Sequence, residues 1–186
     1  MTRHFLSLGL PFVLFAFVSV APALAQDRID RGNEEPRVSP NAAVSQTIGT
    51  TEIRITYSRP QVKGREIFGG LVSYGEVWRT GANEATTFSV TSDVMIEGES
   101  LSAGTYSLYT IPGPEEWTLI FNNVAEQWGT SYDQNEDALR VTVSPESAPQ
   151  REMMTFLFEE VTAENGTCVL HWNETRVPFE IQVAGN

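Results

Sequence analysis

The chain has 186 residues, and its 12 lysines and arginines stand against 24 aspartates and glutamates, which gives a formal net charge of −12 at pH 7. A chain of this sign is not attracted to nucleic acid or to anionic membrane surfaces, so we expect neither as a partner. Its single cysteine, Cys168, excludes a disulfide within the chain, and its apolar neighbours predict a buried strand residue.

The first 25 residues have the pattern of a signal peptide. Arg3 and His4 precede an apolar run over 5–20, and the Ala-Leu-Ala sequence at 23–25 suits signal peptidase. The run is too short to favour a lasting membrane span, so we expect no span after cleavage. We predict export to the periplasm or the cell exterior, a flexible polar lead-in over 26–43, and a single domain over 44–186.

Beyond the lead-in, short strand patterns alternate with turn residues. Residues 51–58 alternate between apolar and polar side chains, as a half-buried strand does. Further strand patterns cover 85–91, 94–97, 105–111, 117–121, 139–143, 153–161, 167–172 and 176–183. About ten short strands and no long helix predict an all-β fold, namely an antiparallel β-sandwich with a jelly-roll-like arrangement.

The sequence lacks the motifs of several common metal, cofactor and catalytic sites. After leader cleavage His171 is the only histidine, and with Cys168 it cannot complete a zinc site. Residues 133–137 resemble the start of a calcium loop, but Ala138 and Ser144 replace its required glycine and glutamate. Dinucleotide, P-loop and serine-hydrolase motifs are absent. We therefore predict no metal and no cofactor, and we assign no catalytic residue.

One segment, 57–86, differs from the acidic remainder and is called the cationic segment below. It holds the only lysine of the chain and three arginines against three glutamates, so its net charge is +1. Glycines there allow tight turns, and aromatic and amide side chains lie close in sequence. The candidate site residues are Arg59, Lys63, Arg65, Tyr74, Trp78, Arg79, Asn83 and Glu84.

Three interpretations of the cationic segment are open. In a structural one, its arginines pair with Glu66, Glu76 and Glu84 and fix a long loop to the sandwich. In a binding one, guanidinium and aromatic groups hold a small anionic or carbohydrate ligand. In a covalent one, Lys63 and Asn83 form a self-made amide cross-link, which requires a buried, uncharged lysine.

These interpretations lead to a non-enzymatic function, either ligand binding or a structural role, for an exported protein. The alternative is a hydrolase that acts on a glycan or another cell-envelope substrate. Such an enzyme would use two acids flanking a groove, and no motif in the chain indicates which acids these are.

The cationic segment also carries a family resemblance. The runs YSRP at 57–60, KGR at 63–65 and YGEVWRTGANEAT at 74–86, with LSAGTY at 101–106, resemble the bacterial domain-of-unknown-function family numbered 2911. The resemblance extends roughly over residues 44–183, and Ser73 stands where the family pattern has proline. It implies a single exported domain and adds no reaction.

Overall fold

The computed structural model of the protein describes residues 31, 32 and 34–183. The predicted signal peptide and the start of the predicted lead-in lie outside these residues. No helix among the described residues has the length and apolar character needed to cross a membrane. The strands are β1 Asn41–Ile48, β2 Thr51–Ser58, β3 Thr86–Val90, β4 Val94–Ile96, β5 Glu99–Leu101, β6 Gly104–Ile111, β7 Trp117–Asn122, β8 Asp137–Val143, β9 Glu146–Glu159 and β10 Asn165–Val183.

The strands form two antiparallel sheets, which confirms the predicted all-β sandwich. One sheet has six strands in the order β1-β2-β3-β6-β7-β8, and the other has four in the order β5-β4-β10-β9. The chain therefore crosses between the sheets after β3, after β5 and after β8. One short 3-10 helix, Gln134–Glu136, precedes β8, and Asp133 caps it by accepting a hydrogen bond from the backbone N–H of Asn135.

The core lies between the sheets, where alternate side chains of each strand point. In β2, Ile53 and Ile55 are fully buried whereas Glu52 and Arg54 are exposed. This period of two is what a strand with one face on a core produces. Cys168 lies in β10 within this core with no exposed surface, and burial raises the pKa of its thiol well above the usual value.

The strand β10 is one long element where the sequence predicts two. Its inward residues are even-numbered up to Trp172 and odd-numbered from Val177 onward. The pairing with β9 shifts between His171 and Thr175, and Asn173 has a φ of 53°. An irregularity of this kind reverses the face to which later side chains point. The strand therefore continues through residues 173–175, which separate the two predicted strands, while its alternation changes phase.

The cationic segment forms a long loop, 59–85, that closes one end of the sandwich. Its backbone is bonded to both sheets: Val62 donates to Glu152 in β9 at 2.9 Å, and Trp78 exchanges hydrogen bonds of 2.7 and 2.9 Å with Thr110 in β6. Its apolar side chains fill the space between the sheet ends, and the larger buried ones include Val62, Ile67, Phe68 and Val72. Because the loop is attached at both sides, it holds its side chains in fixed positions.

Candidate functional site

A cluster of aromatic rings lies beneath loop 59–85. Trp78 from the loop stacks on Trp172 from β10, with ring centroids 5.8 Å apart and planes 16° from parallel. Phe68 meets Trp117 edge-on at 4.7 Å, and it also contacts both stacked rings at 5.8 and 5.9 Å. Aromatic pairs at these distances and angles stabilise a packed arrangement beyond the area they bury. The cluster gives the loop a rigid apolar floor.

A cavity of about 320 Å³ opens above this floor, and we call it the pocket. Its apolar walls come from Trp78, Trp172, Val72, Leu71 and Val38, and its backbone-rich side comes from Gly81 and Ala82. The charged residues that line it are Lys63, Arg65 and Arg79. Among the described residues, none that lines the pocket carries a carboxylate. An apolar cavity with a few charged groups at its wall is the usual form of a small-ligand site.

Lys63 and Arg65 lie on a turn at the pocket and are both exposed. The backbone N–H of Lys63 donates to a carboxylate oxygen of Glu152 at 2.9 Å, while its amine makes no hydrogen bond or ion pair within 31–32 and 34–183. Arg65 donates through Nε to the carbonyl of Val62 at 3.0 Å and through Nη2 to the carbonyl of Gln61. Neutral carbonyls hold the Arg65 side chain without cancelling its charge.

Arg79 is half-buried and lies at the junction of the pocket with the loop that follows β7. A methyl group on Gly129 would lie 2.3 Å from Arg79 Cδ, so the arginine stem passes directly over the glycine backbone. Its Nε is buried and has no hydrogen-bond partner among the residues that the structure describes. The charge of Arg79 also acts on Tyr109, whose pKa burial raises to about 12 while the nearby Ser107 hydroxyl and Arg79 oppose that rise.

Residues 34–40, which we call the strap, form another wall of the pocket through Val38 and Ser39. The strap is anchored by Arg37, whose Nη2 lies 2.8 and 2.9 Å from the two carboxylate oxygens of Glu84. The Glu84 side chain is only 7 % exposed, so this ion pair is largely shielded from water. Arg31 supports the anchor by donating to the carbonyl of Ala85 at 2.8 Å.

The predicted site residues therefore divide into two groups. Lys63, Arg65, Trp78 and Arg79 line the pocket, and Arg59, Tyr74, Asn83 and Glu84 do not. In the described part of the chain, no ion pair joins an arginine of the cationic segment to Glu66, Glu76 or Glu84. The structural pairing put forward from the sequence is thus absent there, because these arginines donate to uncharged groups or lack a partner, and Glu84 binds an arginine of the strap.

The residues outside the pocket have local contacts of their own. Arg59 donates to the carbonyl of Met154 at 2.8 Å and to the Thr155 hydroxyl at 2.6 Å, which fixes the start of the loop to β9. Tyr74 is exposed and lies across Gly69, where an added methyl group would meet its ring at 2.8 Å. Asn83 has a φ of 62°, and its backbone carbonyl accepts a hydrogen bond from the backbone N–H of Gly129 at 3.0 Å.

Sequence reasoning missed Trp172 as a pocket residue. It is 1 % exposed and lines the pocket, and its indole Nε1 is buried with no hydrogen-bond partner in the described part of the chain. In the sequence it follows the buried residues Cys168 and Leu170 at a spacing of two, so it resembles an ordinary core residue. Its place at the pocket and its stacking on Trp78 distinguish it from the rest of the core, and no sequence pattern indicates either.

A second, larger depression of about 500 Å³ is lined by residues from both the first and the last part of β10, and Glu97, Glu146, Glu160 and Glu180 are among its lining residues. The Glu97 carboxylate accepts the backbone N–H of Glu180 at 2.6 Å, and Glu146 lies 3.4 Å from Arg176. The described residues include no group of three or more histidine, cysteine, aspartate or glutamate side chains placed to hold a metal. We assign no function to this depression.

The fold and the pocket together define an antiparallel β-sandwich with a cation-lined cavity at one closed end. The chain belongs to the family described as "Protein of unknown function (DUF2911)", whose model matches residues 39–181. This match confirms the family resemblance of the cationic segment, and it includes both the strap residue Ser39 and β10 almost to its end. No curated protein and no solved structure matches the sequence.

Proposed function

We propose that the protein is an exported ligand-binding module and that the pocket holds a small anionic ligand. The observation that carries the proposal is the composition of the pocket wall in a chain of net charge −12. Lys63 and Arg65 line the cavity, and no carboxylate does so among residues 31, 32 and 34–183. A cationic cavity on an acidic molecule concentrates anions at one place and repels them elsewhere. The unpaired amine of Lys63 is available to a ligand without breaking an existing contact.

The rest of the pocket suits a ligand that also has an apolar part. Trp78 provides ring surface with the buried Trp172 packed behind it, and Leu71 and Val72 add aliphatic surface. The volume of about 320 Å³ lies at the small end of the range for ligand pockets. A neutral sugar would use the ring surfaces but not the two cations, so we favour the anion over the carbohydrate.

Binding of anilinonaphthalene sulfonate, a fluorescent aromatic anion, tests this proposal. We expect saturable binding that weakens with added salt, since salt screens exposed charges. The double variant Lys63→Gln, Arg65→Gln should weaken binding about tenfold or more, because two charge-assisted contacts are lost. Near-UV circular dichroism of each variant excludes dye binding to a loosened core.

The matched control is Arg54→Gln, which removes one exposed charge from β2 outside the pocket. It should leave dye affinity within about twofold of the wild type, since a surface charge outside the pocket contributes only a screened interaction. Equal loss of affinity in Arg54→Gln and in the double variant would overturn the proposal, because it would show a general charge effect rather than a site.

Export is part of the proposal and has its own test. It rests on the leader pattern of residues 1–25. When the full chain is expressed in a bacterium, intact mass spectrometry should find a protein in the periplasmic or culture fraction that begins near Gln26. A chain that retains its first 25 residues in the cell interior would contradict the proposal.

Mass spectrometry also addresses the Lys63–Asn83 cross-link. That chemistry requires a buried lysine, and Lys63 is exposed, while Asn83 does not line the pocket. We therefore expect Lys63 and Asn83 in separate proteolytic peptides of unmodified mass. An N-terminal Gln26 can itself lose one ammonia by cyclising, so only a peptide that joins Lys63 to Asn83 with loss of one ammonia would establish the cross-link and remove the Lys63 amine from the binding site.

A further inference from the structure

The strand β1 forms one edge of the six-stranded sheet and lacks the protection that exposed edges usually have. In the described part of the chain it pairs with β2 alone. Its eight residues, Asn41–Ile48, include neither a charged residue nor a proline. Proteins usually protect an edge with lysine, proline, a bulge or a short strand, because unpaired backbone groups invite pairing with another chain. A long, uncharged edge therefore indicates a place for a further strand.

The other edges of the two sheets are protected. β8 carries Asp137 and Arg140, which form an ion pair at 2.8 Å. β5 is only three residues long and begins with Glu99. β9 contains Pro149 as well as charged residues, and loop 59–85 bonds to part of its edge. Among the sheet edges that the structure describes, β1 is thus the one left open.

The register of β1 on β2 shows which of its backbone groups face away from the sheet. Thr47 lies opposite Glu52, whose carbonyl accepts the backbone N–H of Thr91, just beyond β3, at 3.1 Å. In an antiparallel pair, two opposite residues either bond to each other or both face away. Thr47 therefore faces outward, and Ser45 and Ala43 follow it because the pattern repeats every second residue.

These three residues leave the edge accessible to another strand. Ala43, Ser45 and Thr47 are all exposed and all small. The Thr47 carbonyl accepts a hydrogen bond from the Gln46 side chain at 2.9 Å, and this surface amide can move away without disturbing the sheet. The inner side of β1 is apolar, since Val44 packs against the core. An added strand would therefore extend both the backbone ladder and the edge of the core.

We propose that a second copy of this chain pairs with β1, edge to edge and antiparallel, with a two-fold axis at Ser45. Ser45 then lies opposite the partner's Ser45, and Ala43 lies opposite the partner's Thr47. About six backbone hydrogen bonds form, because each pair of opposite residues exchanges two. The two six-stranded sheets become one continuous sheet, and the interface is isologous, as in most homodimers.

The composition of the edge favours a second copy as the occupant. The side chains of Ala43, Ser45 and Thr47 are small and uncharged, so the two-fold axis places no bulky or like-charged groups against each other. The neighbouring strand β2 adds one glutamate, Glu52, and one arginine, Arg54, so this surface is neutral in a chain of net charge −12. Two copies therefore meet here with little of the repulsion that the whole acidic molecule exerts.

Sedimentation equilibrium of the purified protein at about 10 to 500 µM tests the proposal. We expect a reversible monomer–dimer equilibrium within this range, since one strand pair buries less area than a standard interface. Ser45→Lys should weaken the dimer at least about tenfold, because it places two like charges against each other at the axis. A monomer throughout the range would overturn the proposal and leave the edge to water or to a strand of another protein.

Thr142→Lys is the matched control, because it makes the same change at an exposed position of β8, the other edge of the same sheet. It should leave the dissociation constant of the dimer within about twofold of the wild type, since its charge lies far from the proposed axis. Circular dichroism shows whether each variant keeps its fold. Equal weakening by the two lysines would overturn β1 as the interface.

Oxidation of the variant Ser45→Cys tests the register. Opposite hydrogen-bonded residues have Cα atoms about 5.5 Å apart, which lies within the range that a disulfide spans. The native Cys168 is fully buried and should not compete. We expect a disulfide-linked dimer from Ser45→Cys under mild oxidation and none from Thr142→Cys. A dimer that Ser45→Cys cannot link would overturn the pairing about Ser45.

This inference does not depend on the anion pocket, because no residue of β1 lines it. Dye binding that is lost in Lys63→Gln, Arg65→Gln and kept in Ser45→Lys would separate the two sites. A monomeric protein that still binds the dye would overturn the dimer alone, whereas a dimer whose dye binding ignores Lys63 and Arg65 would overturn the proposed function alone.

Discussion

Thr80 adopts a backbone conformation that β-branched residues rarely take. Its φ is 51°, and it is fully buried between Arg79 and Gly81 at the pocket wall. Its hydroxyl donates to the Thr110 hydroxyl at 3.1 Å, and its carbonyl accepts from the Thr86 hydroxyl at 2.7 Å. Such a conformation costs on the order of 1–3 kcal/mol and persists only where the surroundings enforce it. The turn beside Arg79 is therefore held in a fixed shape by β3 and β6.

The ion pair between Arg37 and Glu84 is the first residue-scale feature that can be tested. Glu84→Gln should lower the free energy of unfolding by about 2–4 kcal/mol, because it leaves Arg37 partly buried without its counter-charge. Urea unfolding measures this loss. In a double-mutant cycle with Arg37→Gln, we expect a coupling energy of about 1–3 kcal/mol.

The control for that pair is Glu146→Gln, whose carboxylate is 53 % exposed and lies 3.4 Å from Arg176. An exposed pair contributes about 0–1 kcal/mol, so this change should have little effect. If Glu84→Gln cost no more than Glu146→Gln, the strap would not be anchored by its ion pair.

Removal of the Tyr109 hydroxyl, unlike Glu84→Gln, should not lower the stability of the fold appreciably. This buried hydroxyl meets no group of the described residues in normal hydrogen-bond geometry, although the Ser107 hydroxyl is near enough to lower its pKa. Tyr109→Phe should therefore change the free energy of unfolding at pH 7 by less than about 1 kcal/mol or increase it. The pKa of Tyr109 is raised to about 12 by burial, whereas an unfolded tyrosine has a pKa of about 10. Between these values the unfolded chain releases a proton that the folded chain keeps.

The stability of the wild type should therefore fall as the pH rises above about 10, and Tyr109→Phe should remove part of that fall. Thermal unfolding at pH 7, 10 and 11 measures both effects. A loss of several kcal/mol at pH 7 on removing the hydroxyl would show that Tyr109 has a partner after all.

At the scale of elements, the contact of loop 59–85 with the loop after β7 depends on Gly129. A methyl group there would lie 2.3 Å from Arg79 Cδ and 2.5 Å from the carbonyl oxygen of Asn83. The carbonyl belongs to the backbone and cannot move away easily, so Gly129→Ala should destabilise the fold by about 1–3 kcal/mol. Urea unfolding measures the change.

Gly104→Ala is the comparison for Gly129→Ala, because the nearest atom to its added methyl group is the end of the Tyr106 side chain, at 3.3 Å. A flexible side chain can shift by the few tenths of an ångström required, so a loss below about 1 kcal/mol is expected. Equal losses at the two glycines would mean that the close approach at Gly129 is not a constraint.

Alternation along the chain made most of the fold predictable. β2 occupies the predicted residues because its inward and outward positions differ sharply in polarity. β5, by contrast, is not among the predicted strands, because three residues are too few to show an alternating pattern. β9 begins at Glu146 rather than at 153, because its first half is a largely exposed edge that carries no apolar pattern.

The candidate site was predictable in part, for a similar physical reason. Charge and composition identified the segment that lines the pocket, and Lys63, Arg65, Trp78 and Arg79 lie there. The strap and Trp172 could not be identified, because their positions at the pocket depend on contacts between residues far apart in the chain. Arg37, for example, meets Glu84, which is 47 residues away.

At the scale of the whole molecule, His171 makes stability depend on pH near neutrality. Burial is the main cause that lowers its pKa, the charges of Arg151 and Arg176 lower it further, and hydrogen bonds to the Pro149 and Asn173 backbones oppose them. Arg151 Nε donates to His171 Nδ1 at 3.1 Å, and His171 Nε2 lies 3.0 Å from the Pro149 carbonyl oxygen. These contacts fit a neutral ring with its proton on Nε2.

The folded pKa of His171 thus lies below the unfolded value of about 6.5. As the pH falls from about 7 towards the folded pKa, the unfolded chain takes up a proton first, so the free energy of unfolding should decrease. His171→Gln should remove this part of the pH dependence. Urea unfolding at pH 7.5, 6.5 and 5.5 measures it, and an unchanged slope in the variant would assign the effect to other groups.

The walls of the pocket come from both ends of the described domain: the strap precedes β1, loop 59–85 follows β2, and Trp172 lies in β10, the last strand. A chain still being made has no complete cavity until nearly all of the domain has emerged, and fragments that lack either end cannot form it. Occupancy of the pocket would therefore report that the whole domain has assembled, and any molecule seated there would stabilise that assembly as a unit.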